Sequence, residues 1–442
     1  MKSRKIILKE FRILKNRLLL FPFYYSKNIQ RFFWSNMYYV EYDKDIHEVC
    51  KSILYIPFIS NIITVAWAIG ADIYVKELDK NYLESLEEIK SVMTEWYPQL
   101  PFSTNIYVDN VVSNKFNNDE YGLLFSGGID STFSYYRNKD KKQNLIMIWG
   151  ADIPLTEEKY WKNVKKKYED WSEKENININ FIKTNIATVL NINFLNSIFG
   201  RYLTDFNWWG SFQHSITLLG LCAPLTVENI GTIMIASSYT REFNHPWVSH
   251  PLIDNKISFG DVRVIHNGHK LSRQQKIRFV LKKYIQNHEQ FPPIRVCYKN
   301  FNYFNCNKCE KCSRTITGLV LENIDPNKFG FKINGNYFNT LKKQLVEGKF
   351  TFGEDEIFMW RDIQRHIPEI IDHNLYNSKD FFKWLKTFNF SRNINSFRLR
   401  SRRIILRMIL ELVSILPKSL KEGLFYALRF LKMVFTRPKS KI

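Results

Sequence analysis

Short apolar runs alternate with longer helical runs through the middle of the chain. The apolar runs are YGLLFS, NLIMIWG, NINFIKT and GTIMIASS, and the helical runs cover 129–138, 156–175 and 208–224. Buried strands spaced by helices are typical of a parallel sheet that is covered on both faces. The pattern therefore predicts an α/β fold with a doubly wound parallel sheet over residues 119–296.

A different pattern precedes this sheet. The runs YYVEY and TNIYVDNVV are strand-like. The run NYLESLEEIKSVMTEWY has apolar residues at helical spacing, namely Leu83, Leu86, Ile89 and Met93. Residues 35–118 are therefore predicted to form a small α+β module.

The longest uncharged run, Ser52 to Ala71, raises the question of a membrane span. Its length is sufficient to cross a bilayer. However, Pro57, Ser60 and Asn61 interrupt the run. We expect a buried core segment, with a membrane span as the alternative.

Positive charge is concentrated at the two ends of the chain. The net charge of the 442 residues is +21, of which residues 1–34 carry +8 and residues 392–442 carry +11. A groove that binds nucleic acid is expected to be basic around its site, and the nearly neutral body does not fit that expectation. We therefore expect an anionic surface, and not nucleic acid, as the partner of the basic ends.

The C-terminal basic segment contains two amphipathic patterns, at 402–416 and 420–435. Basic amphipathic helices bind anionic membrane surfaces or protein partners. An anionic membrane surface is the predicted partner, and a hairpin packed on the body or a homodimer interface are the alternatives. No signal peptide is evident, and the six cysteines fit a reducing compartment. The chain is predicted to be cytoplasmic, either free or attached peripherally at the inner face of the membrane.

A glycine turn stands between the first apolar run and the helical run that begins IDSTFS. It consists of Ser126, Gly127 and Gly128. Glycine lets backbone N–H groups approach a ligand closely, and the start of a helix favours an anion. The side chains of Ser131 and Thr132 add hydroxyl donors. The turn is predicted to bind a polyanion, and a bare tight turn before a capped helix is the alternative.

The motif Ser-Gly-Gly-x-Asp-Ser at 126–131 resembles the pyrophosphate loop of the N-type ATP pyrophosphatases. This family includes asparagine and GMP synthetases, tRNA-modifying ligases and 7-cyano-7-deazaguanine synthase. The resemblance implies attack on the α-phosphate of ATP, release of pyrophosphate and an adenylated acceptor, with Mg²⁺ as the expected ion. The residues implied to hold the β- and γ-phosphates are Ser126, Gly127, Gly128, Asp130 and Ser131.

Asp130 and Ser131 are accordingly the candidate catalytic residues of the loop. Both are expected at the helix start and not in the core. Alanine substitutions at these two positions are therefore expected to remove activity without unfolding the protein.

Four cysteines lie close together in a C-x₈-C-x₂-C-x₂-C pattern: Cys297, Cys306, Cys309 and Cys312. Four thiolates at this spacing fit a tetrahedral Zn²⁺ site. An iron–sulfur cluster or free thiols are the alternatives.

The spacing of these cysteines is similar to that of the 7-cyano-7-deazaguanine synthases, where it also follows the pyrophosphate loop. The resemblance therefore covers roughly residues 119–320. The two remaining cysteines, Cys50 and Cys222, stand in apolar contexts and are expected to be buried thiols.

The resemblance fails where an acceptor would lie. The segments WGADIPLTEEKYW, NWWGSFQHSITLLG and SSYTREFNHPWVSHPLID stand in place of that family's substrate segments. Ligands of such sheets bind at the carboxyl ends of strands, so position suggests Asp152 as a catalytic residue and Thr132, Ser237 and Ser238 as further ATP contacts. The candidate substrate contacts are Gln213, His214, Tyr239, His245, Trp247, His250, Arg273 and Lys276. Packed or solvated side chains are the alternative for these.

The predicted function is that of an ATP-dependent ligase or synthase that forms AMP and pyrophosphate. It would adenylate a carboxylate or related group of an acceptor that is a small molecule or is linked to a carrier. A tRNA-modifying enzyme and a non-catalytic nucleotide-binding module are the alternatives. The predicted organisation is a basic arm (1–34), an α+β module (35–118), the ATP pyrophosphatase domain (119–296), a zinc segment (297–320), a helical extension (321–391) and basic amphipathic helices (392–442).

Overall fold

The strands of the protein form two sheets. The computed structural model describes residues 3–243, 245–287, 291–350 and 352–390. Within these ranges nine strands belong to the larger sheet and four to the smaller one. The strands are β1 (Lys5–Leu8), β2 (Arg12–Leu14), β3 (Leu18–Pro22), β4 (Tyr24–Tyr25), β5 (Met37–Tyr42), β6 (Asp72–Asp79), β7 (Ile106–Val112), β8 (Glu120–Leu124), β9 (Gln143–Trp149), β10 (Asn178–Thr184), β11 (Ile230–Ala236), β12 (Ser258–Phe259) and β13 (Val262–Asn267).

α-Helices connect half of the consecutive strands and follow the last one. They are α1 (Lys51–Leu54), α2 (Ile56–Ile69), α3 (Lys80–Trp96), α4 (Ile129–Arg137), α5 (Glu158–Glu175), α6 (Ile192–Phe199), α7 (His214–Leu221), α8 (Pro251–Asp254), α9 (Arg273–Lys276), α10 (Lys282–Asn287), α11 (Glu310–Leu321), α12 (Tyr337–Val346), α13 (Glu354–His366) and α14 (Lys379–Thr387). Two π-helical segments adjoin them, Trp209–Gln213 before α7 and Ile277–Leu281 between α9 and α10. The four apolar runs are β8 to β11 and the helical runs contain α4, α5 and α7, so the predicted alternation is confirmed.

The larger sheet has the strand order β12-β13-β11-β8-β9-β10-β5-β3-β2. Its centre, from β13 to β10, is parallel throughout. Strand β8 comes first in the chain among these five and lies in the middle. The chain then runs outwards through β9 and β10 on one side and through β11 and β13 on the other. Such a reversal leaves a crevice beyond the carboxyl ends of β8 and β11, where doubly wound sheets bind ligands.

The prediction of a basic arm over residues 1–34 is wrong. Strands β2 and β3 extend the larger sheet through β5, and β1 and β4 join β6 and β7 in the smaller sheet. Of the basic residues, Lys5 lies in β1 and Arg12 in β2, and the strands β1 and β3 bury the apolar side chains of Ile6, Leu8, Leu19 and Phe21. Since β5 pairs with β10, residues 35–118 are also not a separate module.

The long uncharged run is a buried core helix, as expected. All residues of α2 are buried, and Gly70 ends the helix in the left-handed conformation. The π-helical segment Trp209–Gln213 and helix α7 each form a hydrogen bond with α2. Asn61 Oδ1 accepts a hydrogen bond from Gln213 Nε2 over 2.7 Å, and the Ser60 carbonyl accepts one from Thr217 Oγ1 over 3.0 Å. No helix in the described ranges is long and apolar enough to cross a membrane.

The C-terminal predictions divide at residue 390. Helices α12, α13 and α14 lie in the segment that was predicted to be a helical extension. The predicted amphipathic helices at 402–416 and 420–435 lie outside the described residues. They stay predictions.

Candidate functional site

The turn after β8 requires glycine at its second position. Gly127 has a φ of 75°, a conformation that residues with a side chain rarely adopt. A Cβ atom there would lie 1.7 Å from Tyr168 Oη. The next residue, Gly128, has a φ of −80° and is the N-cap of α4. The backbone therefore turns directly into the start of a helix.

Hydroxyl groups line this turn. Ser126 Oγ lies 3.3 Å from the Gly128 nitrogen, which donates to it, and 3.3 Å from Ser131 Oγ. Ser131 Oγ also donates to the Gly128 carbonyl over 3.2 Å. Thr132, the other predicted hydroxyl donor, is fully buried and does not face the cavity that the turn borders.

Asp130 is a buried anion between a buried cation, Lys276, and a mostly covered one, Arg273. Arg273 Nη2 donates to Oδ2 over 2.5 Å, and Lys276 Nζ donates to Oδ1 over 2.9 Å. Lys276 also donates to the carbonyl of Ser237 at the end of β11. Burial by itself would raise the pKa of Asp130, but the two cations outweigh it and lower the pKa to about 2. The expectation that Asp130 lies outside the core is wrong, because α9 covers it.

A cavity of about 280 Å³ opens beyond the carboxyl ends of β8, β9 and β11. Its wall on the sheet side is apolar and includes Ile146, Ile148 and Ile235. Its polar lining comes from distant parts of the chain: Ser126, Asp130, Ser131, Asp152, His214, Ser238, Arg273, Arg295 and Lys311. The cavity therefore collects the glycine turn, candidates from several loops and two cations that the sequence did not suggest.

Arg295 and Lys311 are the residues that sequence reasoning missed. The Arg295 backbone N–H donates to the Gly127 carbonyl over 2.8 Å, and its Nε donates to the Ser126 carbonyl over 3.3 Å. Lys311 lies in the first turn of α11. Both belong to the cysteine segment, and the only signal was the position of Arg295 two residues before Cys297.

Two candidates line the cavity, one from the loop after β9 and one from the first residue of α7. Asp152 is exposed there, and no described residue pairs with its carboxylate. His214 follows the π-helical segment Trp209–Gln213, and its Nδ1 has no hydrogen-bond partner among the described residues. Burial lowers the pKa of His214, so its imidazole is neutral at pH 7 and able to accept a proton.

Other candidates are occupied elsewhere. Gln213 bonds with Asn61 and Trp208 in the core. Tyr239 donates to Asp355 over 3.2 Å. The remaining three candidates lie on the same loop and do not line the cavity: His245 pairs with Glu354 at 2.9 Å, Trp247 packs on Gly210, and His250 caps α8.

The four clustered cysteines form a candidate metal centre. The four Sγ atoms all lie within 4.8 Å of one another. Cys306 Sγ is 3.8 Å from Cys312 Sγ, and the Cys309 backbone N–H donates to Cys306 Sγ over 3.3 Å. Such a cluster is able to hold a metal ion such as zinc.

The chain around this centre is braced by Asn305. Its Oδ1 accepts hydrogen bonds from the backbone N–H groups of Val296 and Cys297, over 3.0 and 3.3 Å. Its Nδ2 donates to the carbonyls of Ile294 and Gly330. The brace holds the cysteine segment against the cavity, where Cys297 forms part of the lining.

The two other cysteines differ from each other. Cys222 is buried, as expected, and burial raises the pKa of its thiol. Cys50 is exposed, so the expectation of a buried thiol there is wrong. It is the N-cap residue of α1, at the surface end of that helix.

The chain matches no protein-family model, no curated protein and no solved structure.

Proposed function

We propose that the protein is an ATP-dependent ligase or synthase that adenylates a carboxylate or a related group of an acceptor and releases pyrophosphate and AMP. The observation that carries this proposal is the glycine turn at the carboxyl end of β8, which borders a cavity with three cations, Arg273, Arg295 and Lys311. A polyanion suits that combination of backbone donors, hydroxyls and positive charge.

The position of the cavity relative to the glycine turn supports pyrophosphate as the leaving group. The turn and Ser131 would hold the β- and γ-phosphates at the start of α4. The α-phosphorus would then face the cavity, and the adenosine would pack on the apolar wall of Ile146, Ile148 and Ile235. An acceptor carboxylate near Asp152 would attack the α-phosphorus on the side opposite to the pyrophosphate. Preorganised donors around the departing oxygens supply the main stabilisation in such chemistry.

Neutral His214 and exposed Asp152 would serve the acceptor side of the cavity. If the adenylated acceptor is attacked by an amine or ammonia, a group that accepts a proton is required, and a neutral imidazole does this at pH 7. Mg²⁺ would accompany the nucleotide as its counterion. The acceptor is then a carboxylate-bearing compound, free or linked to a carrier.

Zinc is the proposed occupant of the cysteine centre. In a tetrahedron with Zn–S distances of about 2.3 Å, the sulfur atoms lie roughly 3.8 Å apart. The separation of 3.8 Å between Cys306 Sγ and Cys312 Sγ fits this value. The ion would hold the segment that carries Arg295 and Lys311, and it would take no part in the reaction.

The test of the function uses ATP labelled at the α-phosphate and a panel of carboxylates with ammonia. We expect labelled AMP and an equal amount of pyrophosphate, and Ser131→Ala is expected to be slower by ~10²-fold. Ser134→Ala is the matched control, because its hydroxyl lies one turn along α4 and bonds with Asn267 away from the cavity. Formation of ADP and phosphate, or equal loss in both variants, would contradict the proposal.

A further inference from the structure

Lys311 is a cation that the described residues leave without an anion. Its ammonium group lies 5.1 Å from the centre of the Tyr298 ring. Within the described ranges it donates no hydrogen bond and forms no ion pair. The contrast with Lys276 is direct, because the ammonium group of that residue is held by Asp130 and a carbonyl group.

The surroundings of Lys311 make its unpaired positive charge unfavourable. Lys311 is half-buried, and its side chain lines the cavity from the first turn of α11. The positive charges of Arg273, Arg295 and Arg314 repel it, although Glu310 pairs with Arg314, and the charge of Asp152 attracts it. An enclosed charge that is neither paired nor fully hydrated costs free energy. A ligand oxyanion would remove that cost.

The charges of the side chains that line the cavity also favour an anionic ligand. Asp130 is already neutralised by Arg273 and Lys276. Asp152 is the other acidic side chain of the lining, and Arg295 and Lys311 are its two remaining cations. Apart from the cysteines, whose four thiolates on one Zn²⁺ would carry a net charge of −2 in this segment, the side chains of the lining therefore carry an excess of positive charge.

We propose that Lys311 binds an oxyanion of the ligand in this cavity, so that the cysteine segment supplies part of the binding site as well as a metal centre. The oxyanion is a phosphate oxygen of the nucleotide or a carboxylate of the acceptor. This inference rests on the proposed function for the identity of these two sources. It makes Lys311 a residue that determines affinity, and for a carboxylate source also the choice of acceptor.

The test compares Lys311→Met with Lys308→Met. Lys308 is an exposed lysine of the same segment, between Cys306 and Cys309. Because Lys311→Met removes an unpaired enclosed charge, the unliganded variant is expected to melt about 2 °C or more above the wild-type protein. Its affinity for an anionic probe is expected to be about tenfold to a hundredfold weaker. Lys308→Met is expected to change neither quantity.

Three probes distinguish the sources by calorimetric titration. Pyrophosphate reports a phosphate contact. The succinyl and butyryl forms of 5′-O-(N-acylsulfamoyl)adenosine report a carboxylate contact, since only the first carries a negative charge at the end of the acyl chain. A weaker pyrophosphate complex in Lys311→Met assigns the phosphate, and a selective loss of the succinyl compound assigns the acceptor.

The inference is overturned if Lys311→Met binds all three probes with wild-type affinity. It is also overturned if the unliganded variant melts below the wild type and binds the butyryl compound more weakly as well, because Lys311 then supports only the fold. Wild-type protein that binds pyrophosphate but forms no AMP refutes the proposed function and leaves the pyrophosphate comparison intact. Wild-type protein that binds none of the probes refutes both.

Discussion

Replacement of Asp130 by alanine is expected to destabilise the protein and not merely to inactivate it. The carboxylate is the shared partner of Arg273 and Lys276, all three of which are enclosed. Loss of one partner leaves charges without compensation inside the protein, which typically costs 3–5 kcal/mol. The pKa of Asp130 gives a second measure. A decrease from 3.8 to about 2 corresponds to roughly 2.5 kcal/mol of stabilisation at neutral pH.

The two figures agree on a loss of about 3 kcal/mol in the free energy of unfolding. The pKa of Asp130 is lower in the folded than in the unfolded protein, so this contribution is present above about pH 4. It is lost as the pH falls towards 2. The variant is therefore expected to show a smaller decrease in stability than the wild type between pH 5 and pH 2.

Urea denaturation at several pH values measures both effects. Asp140→Ala is the control, since Asp140 is largely exposed and Lys141 is its ion-pair partner among the described residues. The double variant of Asp130→Ala and Lys276→Met is expected to be more stable than the sum of the single losses, because it removes both charges of one pair. A loss below about 1 kcal/mol for Asp130→Ala, or strict additivity in the double variant, would refute the reasoning.

Three further outcomes are expected. Gly127→Ala is expected to lower the free energy of unfolding by about 3 kcal/mol, because the backbone is strained and the new Cβ overlaps Tyr168. Gly128→Ala is the control and is expected to fold normally in the same urea denaturation assay, because its Cβ would meet nothing closer than 3.4 Å. Elemental analysis is expected to find one zinc per chain, and Cys306→Ser to be protease-sensitive; iron, or a folded protein without metal, would contradict this. Removal of residues 392–442 is expected to weaken binding to anionic liposomes while pyrophosphate binding persists; unchanged liposome binding would exclude the membrane as partner.

The strands β8 to β11 of the central sheet were predictable because helical runs separate their short, largely apolar segments. Strands β1, β3 and β13 were not recognised. In β1 and β3 the basic residues nearby masked the buried positions, and in β13 the sequence VRVIHN places Arg263 and His266 among apolar residues. Whether such a strand joins a sheet depends on the neighbour that covers its apolar face, and that neighbour is distant in sequence.

The candidate site was also predictable only in part. The glycine turn is local, so its residues and its position at the start of a helix were predictable. The environment of Asp130 was not, because its partner Arg273 lies 143 residues further along the chain. Arg295 and Lys311 were missed because the cysteine pattern predicts a metal site but not where the neighbouring side chains point. That direction depends on how the cysteine segment packs on the glycine turn.

The hydrogen bonds from Arg295 to the glycine turn also set an order of events during synthesis. Ser126 and Arg295 are 169 positions apart, so the turn leaves the ribosome long before the segment that closes it. Chains fold as they emerge, and a nascent chain that ends before Arg295 has the glycine turn without these two hydrogen bonds. If the turn binds a nucleotide as proposed, truncated products of translation are expected to leave cellular nucleotides unbound until the cysteine segment has been made.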